Sequence, residues 1–589
     1  MTHSLINSPP IARLWLQLQH WRLRHPLWLL FGLALAARLL PVGVRFVIGT
    51  DEGLYLTLGQ NLAQGLGYTG NGVTTQIDFP PGFPFFAALL YGLGGGLELP
   101  AKLNVLIFGS LLPLPVYWLA RQLADENTGF LAGLLTAWLP ALALAQGNFE
   151  AVAEPLYTLL LYTGWAVLWW GLAQRRAPEG ISKPVTPPSA PSPPSLRPLC
   201  GGQGVSEAKG LDSSVATRPR SDRPDVLKRV LVFGLAGLAL GAAHLVRWEG
   251  LILGLLGAGV IVLTLRRKSL LPIALFLGGL GLFAVPYGQF LYQHTGSFVS
   301  PKTTITQLHG AGLAANSSDP FALEKSYGVY EAYLAQPDVQ PALPQEDRGA
   351  FLRRYLGNVL TESRLWLTSV SLMTPVWLIP AAIGAWVIER RRALFLALLL
   401  IPLAVIPASV VDARYFQPTL PAAMIFTACG WAWLGKRLGQ TRAHTQVRPY
   451  QVRPRKRVGP FRLTLAPTLV AATLFVFALG DLAGPFLFPR PTEYRTAGLA
   501  LRDKLPEGAH ILARKRQIPF YAGATWEWLP FADLDGVMAY ADSHQAEYIV
   551  IDEFTIPALR PQLAYLLDPQ AAPDGLTPIY VSTDPRIVI

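Results

Sequence analysis

Residues 49–68 read GTDEGLYLTLGQNLAQGLGY. They follow an apolar run from about Leu27 to Ile48, and they set two adjacent carboxylates, Asp51 and Glu52, at its lip. Roughly twenty apolar residues are what a helix needs to cross a bilayer. Arg13, Arg22 and Arg24 precede the run and no small-residue cleavage site follows, so it reads as a retained span and not as a removed signal peptide. The acidic pair therefore marks the first point at which the chain leaves hydrocarbon.

The rest of the chain repeats that alternation. Of 589 residues, 51% are hydrophobic and only 15% charged, with mean hydropathy +0.34, which is outside the range of soluble domains. About eleven apolar stretches have the length of a span. Lys and Arg then test the orientation, because they accumulate in cytoplasmic loops. With a cytoplasmic N-terminus and later spans near 100–120, 128–147, 154–172, 229–246, 249–265, 269–291, 366–388, 394–411, 416–434 and 463–481, the basic clusters fall on one side. These are Arg121, Arg175–Arg176, Arg266 to Lys268, Arg390 to Arg392, Lys436–Arg437 and the RPRKR of 453–457. The formal charge of +12 is thus a topology signal, with anionic membrane lipids as the other reading of RPRKR, and nucleic acid is not an expected partner.

The same parity places the loops 49–99 and 292–365 and the tail after 482 outside the cytoplasm. Residues 177–225, with PVTPPSAPSPPSLRP, have the composition of a disordered cytoplasmic loop. Two cysteines, Cys200 and Cys429, give no disulfide framework. The tail changes character: 494–505 has helical spacing, AHILA (509–513) and EYIVID (547–552) read as short buried strands, and LDGVMAYADSH as a helix between them. The expected architecture is a polytopic α-helical membrane domain, 1–481, followed by a small extracytoplasmic α/β domain, 482–589.

Ionisable residues collect at the outer ends of the spans. Asp51 and Glu52 open a helix over 52–64, where acidic side chains suit the N-terminus, and an apolar wall would raise a carboxylate's pKa. Glu150 and Glu154 are one helical turn apart in GNFEAVAEPLYTLLLY. HLVRWEGL carries His244, Arg247 and Glu249, readable as a site or as an interfacial ion pair with Trp248. VVDARYFQPTLP carries Arg414, SFVSPKT carries Lys302, and DFPPGFP carries Asp78 beside prolines that suit a first helical turn. Carboxylates accept protons from hydroxyls, and arginines neutralise phosphate leaving groups. Glycosyl transfer from a lipid-linked phosphate sugar needs both at a membrane surface.

In that order, DE after the first span, DFPPGFPFFAALLYGL (78–93), EPLYTLLLY (154–162), RWEGL (247–251) and RYFQPTLPAAMI (414–425) resemble the membrane-embedded GT-C glycosyltransferases. Within them the likeness is to the group containing protein O-mannosyltransferases and the aminoarabinose transferases of lipid A. The resemblance implies a polyprenyl- or dolichyl-phosphate sugar donor, inversion at the anomeric carbon, and a glycan, lipid or protein acceptor. It implies Asp51, Glu52 and Glu154 as the catalytic carboxylates, with Asp51 the base and Glu52 orienting it or capping the helix. Arg414, with Arg247 and Lys302, would grip the donor phosphate, and Asp78, Glu150, His244 and Glu249 would be auxiliary or face the acceptor. Where the aminoarabinose transferases have a Lys before paired prolines, this chain has Asp78-Phe79-Pro80-Pro81, so the phosphate grip must come from elsewhere. A divalent metal, Mg or Mn, would suit Asp51 and Glu154. The compartment this points to is a bacterial inner membrane. A transporter or flippase is the competing class, but its acids would sit at the bilayer midplane between repeated halves.

Overall fold

The computed structural model describes residues 24–44, 46–70, 75–143, 153–174, 223–300, 310–335, 346–368, 375–409, 411, 413–444, 476, 479 and 492–589. In chain order the main helices of the apolar part are α1 (Pro26–Val44), α2 (Thr50–Ala63), α3 (Gly82–Gly92), α4 (Leu99–Leu123), α5 (Glu126–Trp138), α6 (Glu154–Gln174), α7 (Arg223–Val246), α8 (Glu249–Leu265) and α9 (Leu270–Thr295). They continue with α10 (Ala322–Ala335), α11 (Arg348–Thr368), α12 (Pro375–Val387), α13 (Arg390–Leu400) and α14 (Leu420–His444).

Among the described residues, α4, α6 and α9 are long and apolar enough to cross a membrane, and a fourth span is reached if α13 and Pro402–Ala408, bent by 47°, count as one. The expectation of about eleven spans therefore exceeds what these helices show by length. Proline is one reason. The stretch expected to span 128–147 ends at Trp138, because Leu139 precedes Pro140 and adopts extended backbone (φ −66°, ψ 122°). Pro402 and Pro407 likewise break the stretch near 394–411. The expected span 366–388 is split between the end of α11 and the start of α12. Residues 463–475 and the Pro/Ser-rich segment 177–222 lie outside the described residues.

Glycines let the helices approach backbone to backbone. A Cβ at Gly384 on α12 would lie 1.8 Å from the Phe426 carbonyl oxygen of α14, and one at Gly237 on α7 would lie 2.0 Å from that of Phe276 on α9. Small residues at such crossings are the usual way apolar helices associate where burial alone gives no drive. Within this bundle Arg38 is fully buried, yet its guanidinium donates to the carbonyls of Ala34 (3.0 Å), Ala137 (3.2 Å) and Leu142 (2.8 Å), tying α1 to α5. A buried charge is tolerable only when hydrogen-bonded in this way.

Residues 492–589 form an α/β unit. It contains α15 (Thr492–Arg502), β1 (His510–Ala513), α16 (Gln517–Ala522), β2 (Thr525–Trp528), α17 (Leu534–Ser543), β3 (Tyr548–Ile549), β4 (Ile551–Asp552), β5 (Val581–Thr583) and β6 (Arg586–Val588). One sheet is parallel in the order β2-β1-β3, the other antiparallel in the order β4-β6-β5. EYIVID is thus not one strand. It divides at Val550, whose N–H donates to Leu512 O at 2.8 Å, and passes from the first sheet to the second.

Two buried carboxylates fasten this unit to the helices. Glu98 accepts from Tyr521 Oη at 2.8 Å and pairs with Arg495 at 2.9 Å. Glu324 of α10 accepts from Arg514 at 2.6 and 3.0 Å and from the fully buried Arg560 at 2.9 Å. Burial alone would raise the Glu324 carboxyl, but the hydrogen bonds and charges of Arg514 and Arg560 outweigh it and hold the group below its ordinary range.

Candidate active site

Asp51 lies in the first turn of α2, which begins one residue after Gly49. Its neighbour Glu52 turns back on the chain, accepting the Gly49 N–H at 2.8 Å, a capping geometry that fixes where the helix starts. Asp51 points elsewhere, and its carboxylate meets Arg414 Nη1 at 3.0 Å. Arg414 belongs to the short 3-10 segment Ala413–Thr419 that leads into α14, so the pair joins the first helix after α1 to one more than 360 residues later.

A second cluster adjoins it. Arg247, in the turn between α7 and α8, donates to Glu154 at the start of α6 in a very short hydrogen bond and to Glu249 at 2.7 Å. Tyr415 links the clusters: the guanidinium carbons of Arg414 and Arg247 stand 5.2 and 5.6 Å from its ring centroid, within cation–π range. Arg247 also lies 5.9 Å from the ring of Tyr157. Burial pushes the Tyr55 hydroxyl well above its ordinary value, with Arg247 lowering it and Asp51 and Glu154 raising it, so Tyr55 is within electrostatic reach of both clusters.

The clusters differ in access. The side chain of Glu154 is 5% exposed and that of Arg247 15%, against 31% for Asp51 and 22% for Arg414. Three carboxylates (Asp51, Glu154, Glu249) face two guanidiniums, a formal charge of −1. An anion entering here must therefore displace a carboxylate, and Asp51 is the more exposed partner. Beside the cluster is a cavity of about 740 Å³ counted with its open mouth, with Arg247, Glu249 and Tyr415 at one part of its wall and Ile252, Leu253, Val405 and Ile406 along the rest. It is charged at the head and apolar in the body.

Of the remaining residues singled out in the sequence, Asp78 accepts from Gln76 at 2.8 Å, and the buried His244 packs edge-on against Tyr287 with centroids 5.6 Å apart. Glu150 and Lys302 lie outside the described residues, so the pairing of Glu150 with Glu154 is not part of this geometry. The PPGFP turn serves packing, since a Cβ at Gly82 would lie 2.7 Å from the Leu245 carbonyl oxygen, two residues before Arg247. Among the described residues no group of three or more His, Cys, Asp or Glu is arranged to hold a metal ion. Asp51 and Glu154 each face a guanidinium that Mg or Mn would have to displace, so the residues do not offer a divalent ion a ligand set. Tyr157 and Tyr55 were not singled out from the sequence, where a tyrosine in an apolar run looks like any other core aromatic, and Tyr415 stood there only as the second residue of the Arg-Tyr pair at 414–415.

No protein-family model matches the sequence, and no curated protein matches it. Solved structures do resemble the fold. ArnT from Cupriavidus metallidurans, bound to undecaprenyl phosphate, aligns over 95% of this chain and 96% of its own with a TM-score of 0.51 at 15% identity. The archaeal oligosaccharyltransferase AglB from Archaeoglobus fulgidus, in complex with an inhibitory peptide and a dolichol-phosphate, aligns over 91% of this chain and 69% of its own with a TM-score of 0.52 at 12% identity. The same oligosaccharyltransferase tethered to an acceptor peptide gives 0.54 at 13% identity, over 90% of this chain and 70% of its own. This is the GT-C fold. At such identities the likeness is one of fold, and it extends through the α/β unit as well as the helices. In this chain α2, the α6 start, the α7–α8 turn and the 3-10 segment before α14 are joined through Arg414 and Arg247, the two cations beside Tyr415.

Proposed function

We propose that this chain is an integral membrane glycosyltransferase. It moves a sugar from a polyprenyl-phosphate carrier to an acceptor outside the cytoplasm, with inversion at the anomeric carbon. The observation that carries the reading is the ring of Tyr415, which lines the charged head of an apolar cavity together with Arg247 and stands beside Arg414 of the Asp51–Arg414 pair. Undecaprenyl phosphate and dolichol-phosphate, the ligands of two proteins with this fold, have the same division into anionic head and apolar tail.

In this reading the donor phosphate takes Arg414 from Asp51, and the freed carboxylate removes the proton of the acceptor hydroxyl. The hydroxyl oxygen attacks the anomeric carbon from the side opposite the phosphate. The bond from that carbon to the phosphate oxygen breaks, and its electron pair leaves as polyprenyl phosphate beside Arg414 and Arg247. Glu154 and Glu249 keep Arg247 in place. Asp51 stands within hydrogen-bond reach of Arg414, and Arg247 within reach of Glu154 and Glu249; a general base must come as close to the proton it takes.

The topology that goes with this function counts the shorter apolar helices and the apolar sequence near 463–481 as spans, eleven in all, with a cytoplasmic N-terminus and with α2, α10 and the α/β unit outside, as the distribution of Lys and Arg favours. A bacterial inner membrane is the compartment this implies. Purified protein incubated with a polyprenyl-phosphate sugar tests the reading: the wild type should release polyprenyl phosphate as acceptor is glycosylated. Absence of any transfer from a panel of hexosyl and pentosyl carriers, by protein that is folded and binds polyprenyl phosphate, would refute it.

A further inference from the structure

A second cleft, among the described residues, is not used by the donor chemistry. It encloses about 2800 Å³ including its open mouth, lies between α2, α10 and the α/β unit, and starts at Gly53, two residues beyond Asp51. We infer that this cleft binds a neutral carbohydrate chain, the glycan portion of the acceptor. The inference rests on the transferase reading and adds to it the chemical class of the acceptor.

The two walls of the cleft are chemically different. One carries aromatic rings, Trp526 and Trp528 on β2, then Phe531 and Tyr540. Trp526 is held rigidly, since its Nε1 donates to Ala513 O at 2.8 Å and the Arg516 guanidinium carbon lies 3.5 Å from its ring centroid. Tyr540 stacks on His544 with centroids 3.8 Å apart and planes 15° from parallel. The facing wall is a stripe of α2, Gly53, Thr57, Gln60 and Gln64, whose spacings of four, three and four residues keep them on one helical face. A pyranose ring has apolar C–H faces and a rim of hydroxyls. Preformed aromatic plates suit the faces, and amides, which both donate and accept, suit the rim.

Charge narrows the class further. The lining has three cations, Lys325, Arg502 and Arg516, and three carboxylates, Asp78, Glu507 and Glu527. Several are already engaged: Lys325 with Asp319 at 2.6 Å, Glu527 with His510 at 2.9 Å, and Asp78 with Gln76. A polyanionic acceptor would find no net field to attract it. A peptide is the competing occupant, because β2 is an edge strand of its sheet and edges accept added strands. The rigid rings and the amide stripe favour the glycan.

The test is calorimetric titration of the full chain in nanodiscs, without donor. The probes are neutral linear hexasaccharides of glucose, mannose, galactose and N-acetylglucosamine, a sulfated hexasaccharide, and uncharged decapeptides. At least one neutral hexasaccharide should saturate one site, and the surface double variant Gln60→Ala, Gln64→Ala should weaken it about tenfold, equivalent to about 1.4 kcal/mol. Trp526→Ala should abolish binding while Trp526→Phe keeps it. Tighter binding of the sulfated sugar or of a peptide, no binding of any neutral sugar, or unchanged affinity in the Gln60/Gln64 variant would overturn the inference. Because donor is absent, glycan binding without transfer would leave this site standing and remove the transferase reading, and transfer without glycan binding would do the reverse.

Discussion

Arg414 and Arg247 share one aromatic platform, the ring of Tyr415, while each is held by a carboxylate from a different helix. The two cations are thereby fixed near each other despite their mutual repulsion. A site built for a phosphate needs that arrangement before the phosphate arrives, since preorganised donors lose no reorganisation energy at the moment of reaction.

Removing one of them should affect donor use first. Arg414→Ala is expected to slow transfer by about 10²–10³-fold, the usual consequence of losing one donor to a developing oxyanion, and to raise the KM for the polyprenyl-phosphate sugar. Arg414→Lys should recover part of the loss, because a point charge replaces a bidentate fork. Steady-state kinetics with donor and acceptor varied separately reads this, and an effect on acceptor KM alone would reassign Arg414.

Arg247 carries a structural role as well. Its loss leaves Glu154, with a side chain 5% exposed, as an uncompensated buried charge, which typically costs about 3–5 kcal/mol. Arg247→Ala should therefore lower the thermal unfolding temperature in detergent, and adding Glu154→Gln should restore much of it. Independent, additive losses would show that the two residues do not interact.

The contact between α10 and the α/β unit should be acid-labile. Arg514 and Arg560 hold the Glu324 carboxyl below its ordinary value of 4.5, so the folded state binds this proton less readily than the unfolded chain does. The stability it gives is present above pH 4.5 and is lost as the pH falls through the lowered folded value. Protection factors of the β1 and α16 amides, taken relative to intrinsic exchange at each pH, should fall on acidification, and Glu324→Gln should show the lower protection already at neutral pH. Equal protection of the two proteins at pH 7 would contradict the latch.

Glu362 on α11 has the opposite sign. Among the described residues its buried Oε2 has no hydrogen-bond partner, and burial pushes the carboxyl up from 4.5 to about 7. The folded state holds the proton more tightly, so stability declines as the pH rises between these values and then levels off. Glu362→Gln should be more stable than wild type at pH 8 and little changed at pH 4. Melting curves at the two pH values decide it.

Much of the site was legible in the sequence because charge is rare in this chain. DE, EP, RWE and DARY stand out from apolar surroundings at the ends of apolar runs. Which acid meets which arginine was not legible, since Asp51 and Arg414 are separated by more than 360 residues and only packing of α1, α6, α7 and α14 brings them together. Span lengths were overestimated because hydropathy does not register the extended residue that Pro140 imposes on Leu139, nor the bend at Pro402. The latch at Glu324 gave no signal, lying in an ordinary amphipathic helix, and the Arg-Tyr pair at 414–415 marked a site without showing that the Tyr415 ring lies beside Arg247 as well. β2 was missed because TWEW is too short to show alternation, and the break at Val550 because Tyr548, Ile549, Val550 and Ile551 form one uninterrupted apolar run across both sheets.

The most direct test of the account is the transfer rate of Asp51→Asn with a polyprenyl-phosphate sugar and an acceptor that wild type uses. Asparagine preserves shape and can still hydrogen-bond, but it cannot take a proton, so the rate should fall by about 10²–10⁴-fold, the usual contribution of a general base, while polyprenyl phosphate binding persists. A folded Asp51→Asn protein that transfers at the wild-type rate would contradict the central claim.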